Sequence, residues 1–138
     1  LGLIVAPQAY FHLGSGPVGP DTSHGGAVQT TDATVTDIVS IPLAEGEAIT
    51  VEAMITAQKT DESEWASWKL IASFYRNTAG NVTQNGGTMM PFSQDSSGLY
   101  AVDFVADAVN QEVALQVTGV VATTINWTAS VKALKVLV

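Results

Sequence analysis

The chain has 138 residues, no cysteine, and thirteen acidic against five basic side chains, so its net charge is −8. This length suits one domain with a core of its own, and the lack of cysteine excludes a disulfide scaffold or a thiolate metal site. The negative charge disfavours binding to nucleic acid or to anionic membrane surfaces. Because no apolar run reaches about 18 residues, we expect no membrane insertion.

The first 26 residues differ in composition from the rest of the chain. Seven large apolar residues fall within the first thirteen, and glycines and prolines follow them up to Gly26, which disfavours regular structure. We predict an N-terminal arm and Gly/Pro-rich linker over 1–26 and one domain over 27–138. The arm is expected to dock on a partner, with a long ordered loop as the alternative. Its candidate contact residues are Leu3, Ile4, Val5, Tyr10, Phe11 and Leu13.

From residue 27 onward, apolar and polar residues alternate with the period of two that is typical of half-buried strands. Turn-forming sequences separate the runs, and no stretch beyond a short turn within 61–67 favours a helix. The pattern predicts an all-β fold, an antiparallel β-sandwich or jelly roll of about eight strands. The predicted strands cover 35–43, 48–60, 68–76, 82–89, 99–106, 112–119 and 125 to the chain end.

The same alternation predicts which side chains face the core. The predicted core residues are Val51, Ile55, Leu70, Phe74, Val113, Leu115, Val117, Trp127 and Val131. Trp68 is also expected to be buried. Pro42, which cannot donate to a strand ladder, predicts an edge strand or a strand end. Gly80 is predicted to take the left-handed conformation in a hairpin loop over 77–81.

Two stretches carry a resemblance to a known group of proteins. The sequence Val-Ala-Leu-Gln-Val-Thr-Gly of 113–119, followed by Thr-Ile-Asn-Trp-Thr-Ala-Ser-Val of 124–131, resembles the C-terminal hairpin of small β domains in tailed-bacteriophage virion proteins. Leu115 stands where that pattern has a valine. The stretches 49–53, 70–76 and 80–84 resemble the core of the same domains.

The resemblance implies a β-sandwich displayed on a virion in many copies, often as a homotrimer, in contact with capsid or tail subunits. Four apolar residues support self-association from the sequence alone. Met54, Ile71, Leu134 and Val136 fall on the strand faces opposite the predicted core, and apolar residues gathered on an outer face can mark an interface. The alternative is that both faces are covered within one chain.

The sequence offers only weak candidates for a ligand site. Asp61, Glu62 and Glu64 form an acidic cluster that either holds a calcium ion or is a solvated loop. Trp65, in the same loop, could stack on a glycan, contact a partner or be buried. His12 and His24 are either exposed or gathered at a symmetry axis around a metal.

No nucleophile, paired-histidine or phosphate-loop motif is present, so we expect no enzymatic activity and no cofactor. The leading hypothesis is a structural virion component: a capsid-surface decoration, a head fibre or a tail component. The alternative is a receptor-binding, carbohydrate-recognising module of a phage fibre. A third hypothesis is an accessory domain within a longer depolymerase.

Overall fold

A computed structural model describes residues 22–138. Within that range the regular structure is entirely β, and no described residue lies in a helix that could cross a membrane. The strands are β1 Thr22–Thr30, β2 Val35–Pro42, β3 Glu47–Lys59, β4 Trp65–Tyr75, β5 Thr83–Gln84, β6 Met89–Asp95, β7 Ala101–Asp107, β8 Glu112–Thr118 and β9 Ile125–Leu137.

The strands form two antiparallel sheets, which confirms the predicted β-sandwich. The large sheet has the order β1-β9-β3-β4-β5, and β6 pairs with β4 beside β5. The small sheet has the order β2-β8-β7. β3 and β9 are the longest strands at 13 residues each, and they pair from Glu47 opposite Leu137 to Lys59 opposite Ile125.

The core lies between the inner faces of the two sheets. All nine predicted core residues and Trp68 are buried. Burying a large apolar side chain stabilises a fold by roughly 1.5–3 kcal/mol relative to exposure. The strict alternation of buried and exposed residues along β3, β4 and β9 therefore fixes which face of the large sheet points outward.

The first strand begins five residues before the predicted start of the domain at residue 27. β1 begins at Thr22, and Gly25 and Gly26 pair with Ser130 and Ala129 of β9 instead of breaking the structure. Gly26 is required by close approach, since a Cβ there would lie 2.1 Å from the carbonyl oxygen of Ile38. A register shift in β2 between Asp37 and Val39 displaces Ile38 toward β1.

The region between β4 and β7 also differs from the prediction. The expected strand 82–89 is reduced to the two residues of β5, and the expected loop at Ser93 is instead part of β6. Gly86, with a φ of +82°, turns the chain between β5 and β6. A turn forms at residues 60 and 61, where the Glu62 N–H donates to the Lys59 carbonyl at 2.9 Å, and β4 begins at Trp65, so no helix is present within 61–67.

Two turn predictions have opposite outcomes. Pro42 is the last residue of β2, an edge strand of the small sheet, as expected. Gly80 does not adopt the left-handed conformation; Ala79 does, with a φ of 62°. The Ala79 N–H donates to Glu45 Oε1 at 2.8 Å and the Gly80 N–H to the Asn77 carbonyl at 2.9 Å. These hydrogen bonds hold a non-glycine residue in the strained position.

Candidate functional site

The outer face of the large sheet carries an apolar patch, which we define as Met54, Ile71, Met89 and Phe92. Ile71 of β4 lies opposite Met89 of β6, and Lys69 of β4 lies between Met54 of β3 and Phe92 of β6. Met54 is 68% exposed and Met89 is 69% exposed. Lys69 and Glu52 lie among these four residues. Exposed apolar residues gathered on an outer face are typical of protein contact sites.

The other two predicted interface residues lie on the same face but in a second group. Leu134 and Val136 of β9 lie opposite Thr50 and Ala48 of β3, and both are exposed. Ile71 lies two strands away, on the far side of β3. The structure therefore brings Met54 and Ile71 together and places Leu134 and Val136 at one end of the same face.

Charged side chains on this outer face are few. Lys69 Nζ lies 3.4 Å from a carboxylate oxygen of Glu52. Lys132 lies opposite Glu52 on β9 but, among the described residues, is in no ion pair within 4 Å. Two lysines and one glutamate leave the face weakly positive in a chain whose net charge is −8.

An aromatic cluster fills one end of the core. Trp68 and Trp127 stack with ring centroids 5.8 Å apart, and Tyr100 lies 5.6 Å from Trp127. The Tyr100 hydroxyl donates to Glu64 Oε1 at 2.8 Å. Burial of the phenol raises the pKa of Tyr100 well above its ordinary value, and the hydrogen bond to the Glu64 carboxylate is the second largest cause of this increase. Glu64 therefore accepts a hydrogen bond from a core residue, which holds the Tyr100 ring in place.

Trp65 lies at the surface beside this cluster. Its side chain is 53% exposed, and its backbone is held by Ser96, whose Oγ accepts from the Trp65 N–H at 3.0 Å. Trp65, Gln94 and Asp95 line a shallow groove. A second, adjoining groove of about 600 Å³ shares Gln94 and Asp95 and reaches Tyr100. Of the alternatives predicted for Trp65, burial is therefore wrong, and its exposed side chain is available for contact with a glycan or a partner.

The acidic loop does not assemble a metal site. Asp61 accepts hydrogen bonds from the Ser63 hydroxyl at 2.5 Å and the Ser63 N–H at 3.0 Å. The first of these is the main reason that the pKa of Asp61 is lowered. Glu62 is exposed, and Glu64 is engaged by Tyr100. Within residues 22–138, no three histidine, aspartate or glutamate side chains converge on a position that could hold a metal ion.

Of the remaining candidate site residues, His24 lies within the described range 22–138 and the others lie outside it. His24 lies on β1, where its Nε2 is 2.9 Å from the Thr22 hydroxyl. His12 and the arm residues Leu3, Ile4, Val5, Tyr10, Phe11 and Leu13 lie outside the described residues.

Sequence reasoning missed Met89 and Phe92 as members of the patch. The run Met-Met-Pro-Phe of 89–92 is apolar and contains a proline. That combination is a signal for an exposed edge strand.

Comparison with known proteins gives only distant similarities. No family model and no curated protein sequence matches the chain. Among solved structures, the tailspike protein of Acinetobacter baumannii phage AM24 aligns with 86% of this chain and 26% of its own, at 12% identity and a TM-score of 0.49. The chain thus spans about a quarter of that tailspike.

Two further tailspikes align less closely. Tailspike gp49 of the A. baumannii bacteriophage Fri1, described as a capsular polysaccharide depolymerase, gives 14% identity and a TM-score of 0.37 over 86% of this chain and 19% of its own. The tailspike of Acinetobacter phage vB_ApiP_P1 gives 15% identity and a TM-score of 0.30 over 94% of this chain and 25% of its own.

Proposed function

We propose that this chain is a non-enzymatic structural domain of a tailed-bacteriophage particle, displayed there as a homo-oligomer. The observation that carries the proposal is the apolar patch on the outer face of the large sheet. Met54 and Met89 are mostly exposed, although the sandwich has a complete core without them. Methionine and aromatic residues are enriched at protein interfaces, whose centres are depleted of charge.

The resemblance of 113–119 and 124–131 to virion β domains is the reason for proposing that the domain is located on a phage particle. Those segments form β8 and β9, and their apolar residues are core residues. The resemblance therefore concerns the packing of a displayed domain rather than any reactive group. A capsid-surface decoration, a head fibre and a tail component are the three positions on a particle that suit such a domain.

The arm is proposed as the anchor to a neighbouring virion subunit. Its apolar residues would each gain roughly 1.5–3 kcal/mol by burial against a partner. Because β1 begins at Thr22, the arm joins the domain at the edge of the large sheet opposite to β5 and β6.

Mass spectrometry of purified particles tests the proposal. The account predicts peptides of this chain in particles that have been freed of host debris, at a copy number that is a multiple of the oligomer. Peptides found only in the infected-cell lysate would contradict it. A variant with Met54→Asp should be depleted from the particles, whereas Glu62→Lys, an exposed change in the β3–β4 loop, should be incorporated normally.

A carbohydrate-recognising module is the second candidate function, and exposed Trp65 beside the groove at Gln94 favours it. Indole faces stack on sugar rings, and the neighbouring amide and carboxylate could accept or donate hydrogen bonds to hydroxyls. Binding of the chain to host-surface polysaccharide that is lost in Trp65→Ala would support this function. If the wild-type chain does not bind host-surface polysaccharide, the carbohydrate-recognising function is excluded.

The third candidate function is an accessory domain of a longer depolymerase. In that case the domain would be part of a much longer polypeptide that also carries the catalytic domain. Immunoblotting of purified particles with an antibody against residues 22–138 distinguishes the cases. A band near the mass of this chain is expected for the structural component, whereas a much larger band with polysaccharide-cleaving activity would favour the accessory domain.

A further inference from the structure

The two outer faces of the sandwich differ in charge. In the small sheet, Asp37 of β2 and Asp103 of β7 lie on either side of Gln116 of β8. Asp107 and Glu112 form a pair four residues further along the strands. No basic residue of these three strands shares that face, so it carries four carboxylates.

The carboxylates surround a flat, weakly polar centre. Ala114 of β8 lies between Ser40 of β2 and Val105 of β7. Ala114 is buried and Val105 half-buried, so this row presents no long side chain. Lys135 contacts the Pro42 carbonyl at the end of β2, but it is ion-paired with Glu47. The centre of the small-sheet face is thus low and weakly polar, with carboxylates on either side of it along the strands.

The large-sheet face has the complementary character. It presents the projecting apolar patch and two lysines against one glutamate, with Lys132 unpaired among the described residues. Apolar side chains that project can pack on a flat strip, while the lysines beside them meet carboxylates. The two faces are therefore complementary in charge, whereas two small-sheet faces would repel each other.

We propose that the large-sheet outer face of one copy packs against the small-sheet outer face of the next copy. This inference rests on the oligomeric virion domain proposed above, and it specifies how the copies meet. Like-with-like packing of two small-sheet faces would bring eight carboxylates together, which like-charge repulsion opposes. A contact between two different faces is head-to-tail, and it closes into a ring, such as a trimer, when the rotation permits.

Single-face variants of the full chain test the arrangement by light scattering and sedimentation. Met54→Asp alters only the large-sheet face, and Asp103→Lys alters only the small-sheet face; both positions are exposed. Each variant should lose the oligomer and sediment as a monomer. Glu62→Lys makes the same charge change as Asp103→Lys outside both faces, and it should leave the oligomer intact. Circular dichroism checks that all three variants fold.

Mixing the two face variants gives the sharper result. Met54→Asp retains a normal small-sheet face and Asp103→Lys a normal large-sheet face, so together they can form one contact. The mixture should contain a species of two subunits, which neither variant forms alone. Monomers only in the mixture, or loss of assembly in only one of the variants, would overturn the head-to-tail arrangement. The proposed function would not be contradicted by that result, because it is tested separately by mass spectrometry of purified particles.

Discussion

The indole Nε1 of Trp127 on β9 donates a hydrogen bond of 2.9 Å to the Oγ1 of Thr30 on β1, and both residues are buried. Thr30 is the only polar residue in the buried set of the described chain. The hydrogen bond ties the edge strand of the large sheet to the aromatic cluster. β1 is thus held to the core by a side-chain hydrogen bond as well as by its pairing with β9.

Thr30→Val should destabilise the domain by about 1–3 kcal/mol, because it leaves a buried indole N–H without an acceptor. Thr30→Ser keeps the hydroxyl and should cost less. Denaturant unfolding followed by tryptophan fluorescence measures both. Equal losses for the two variants would mean that the methyl group, and not the hydrogen bond, matters at this position.

Gly26→Ala should destabilise the domain by about 3 kcal/mol or more, the upper part of the range for overpacking. The reason is that the new Cβ would lie 2.1 Å from the Ile38 carbonyl oxygen. Gly25→Ala is the matched control, since its Cβ would lie 3.8 Å from the nearest atom, an ordinary contact. Thermal unfolding of the two variants should differ clearly; similar midpoints would refute the close approach.

Removing residues 1–21 should leave a folded domain, whereas removing 1–26 should destabilise it. The longer deletion eliminates the pairs from Thr22 opposite Ala133 to Gly26 opposite Ala129, which leaves that part of β9 as an open edge. Circular dichroism melting of the two truncations provides the comparison. Identical melting would place the functional start of the domain at residue 27, as composition alone suggested.

Tyr100 should ionise at a higher pH than an ordinary tyrosine in an alkaline titration followed by tyrosinate absorbance. Burial and the Glu64 carboxylate raise the pKa of Tyr100, so the folded state favours the neutral phenol. The resulting stabilisation is fully present below the ordinary pKa of 10.0 and is lost as the pH rises above it, when the unfolded chain ionises first.

Two variants assign that late phase. Tyr100→Phe should abolish it, and Glu64→Gln should move it to lower pH while the sandwich remains folded. A wild-type titration without a phase above the ordinary tyrosine pKa would be inconsistent with the buried hydrogen bond.

The sandwich could be predicted because its core strands obey a simple alternation. Val51, Leu115 and Val131 each sit in a run where every second residue is apolar, and one buried face is enough to fix their orientation. β1 could not be predicted in the same way. Gly25 and Gly26 have no side chains to show a period, and the need for glycine arises from Ile38, which is distant in sequence.

The candidate surface was predictable only in part. Met54 and Ile71 could be assigned to the outer face because their strands alternate clearly. Phe92 could not, because β6 is exposed on both faces and so shows no alternation. The charge difference between the sheets also requires the strand order, since Asp37 and Asp103 are adjacent to β8 only in the folded chain.

The mass of the full chain in solution tests the central claim most directly. Light scattering across a dilution series should give a discrete oligomer of the 14.4 kDa subunit, with three copies as the expected number. The oligomer should dissociate in Met54→Asp and remain in Glu62→Lys. A wild-type chain with the mass of one subunit at its highest soluble concentration would contradict the account, because the exposed patch would then have no partner among its own copies.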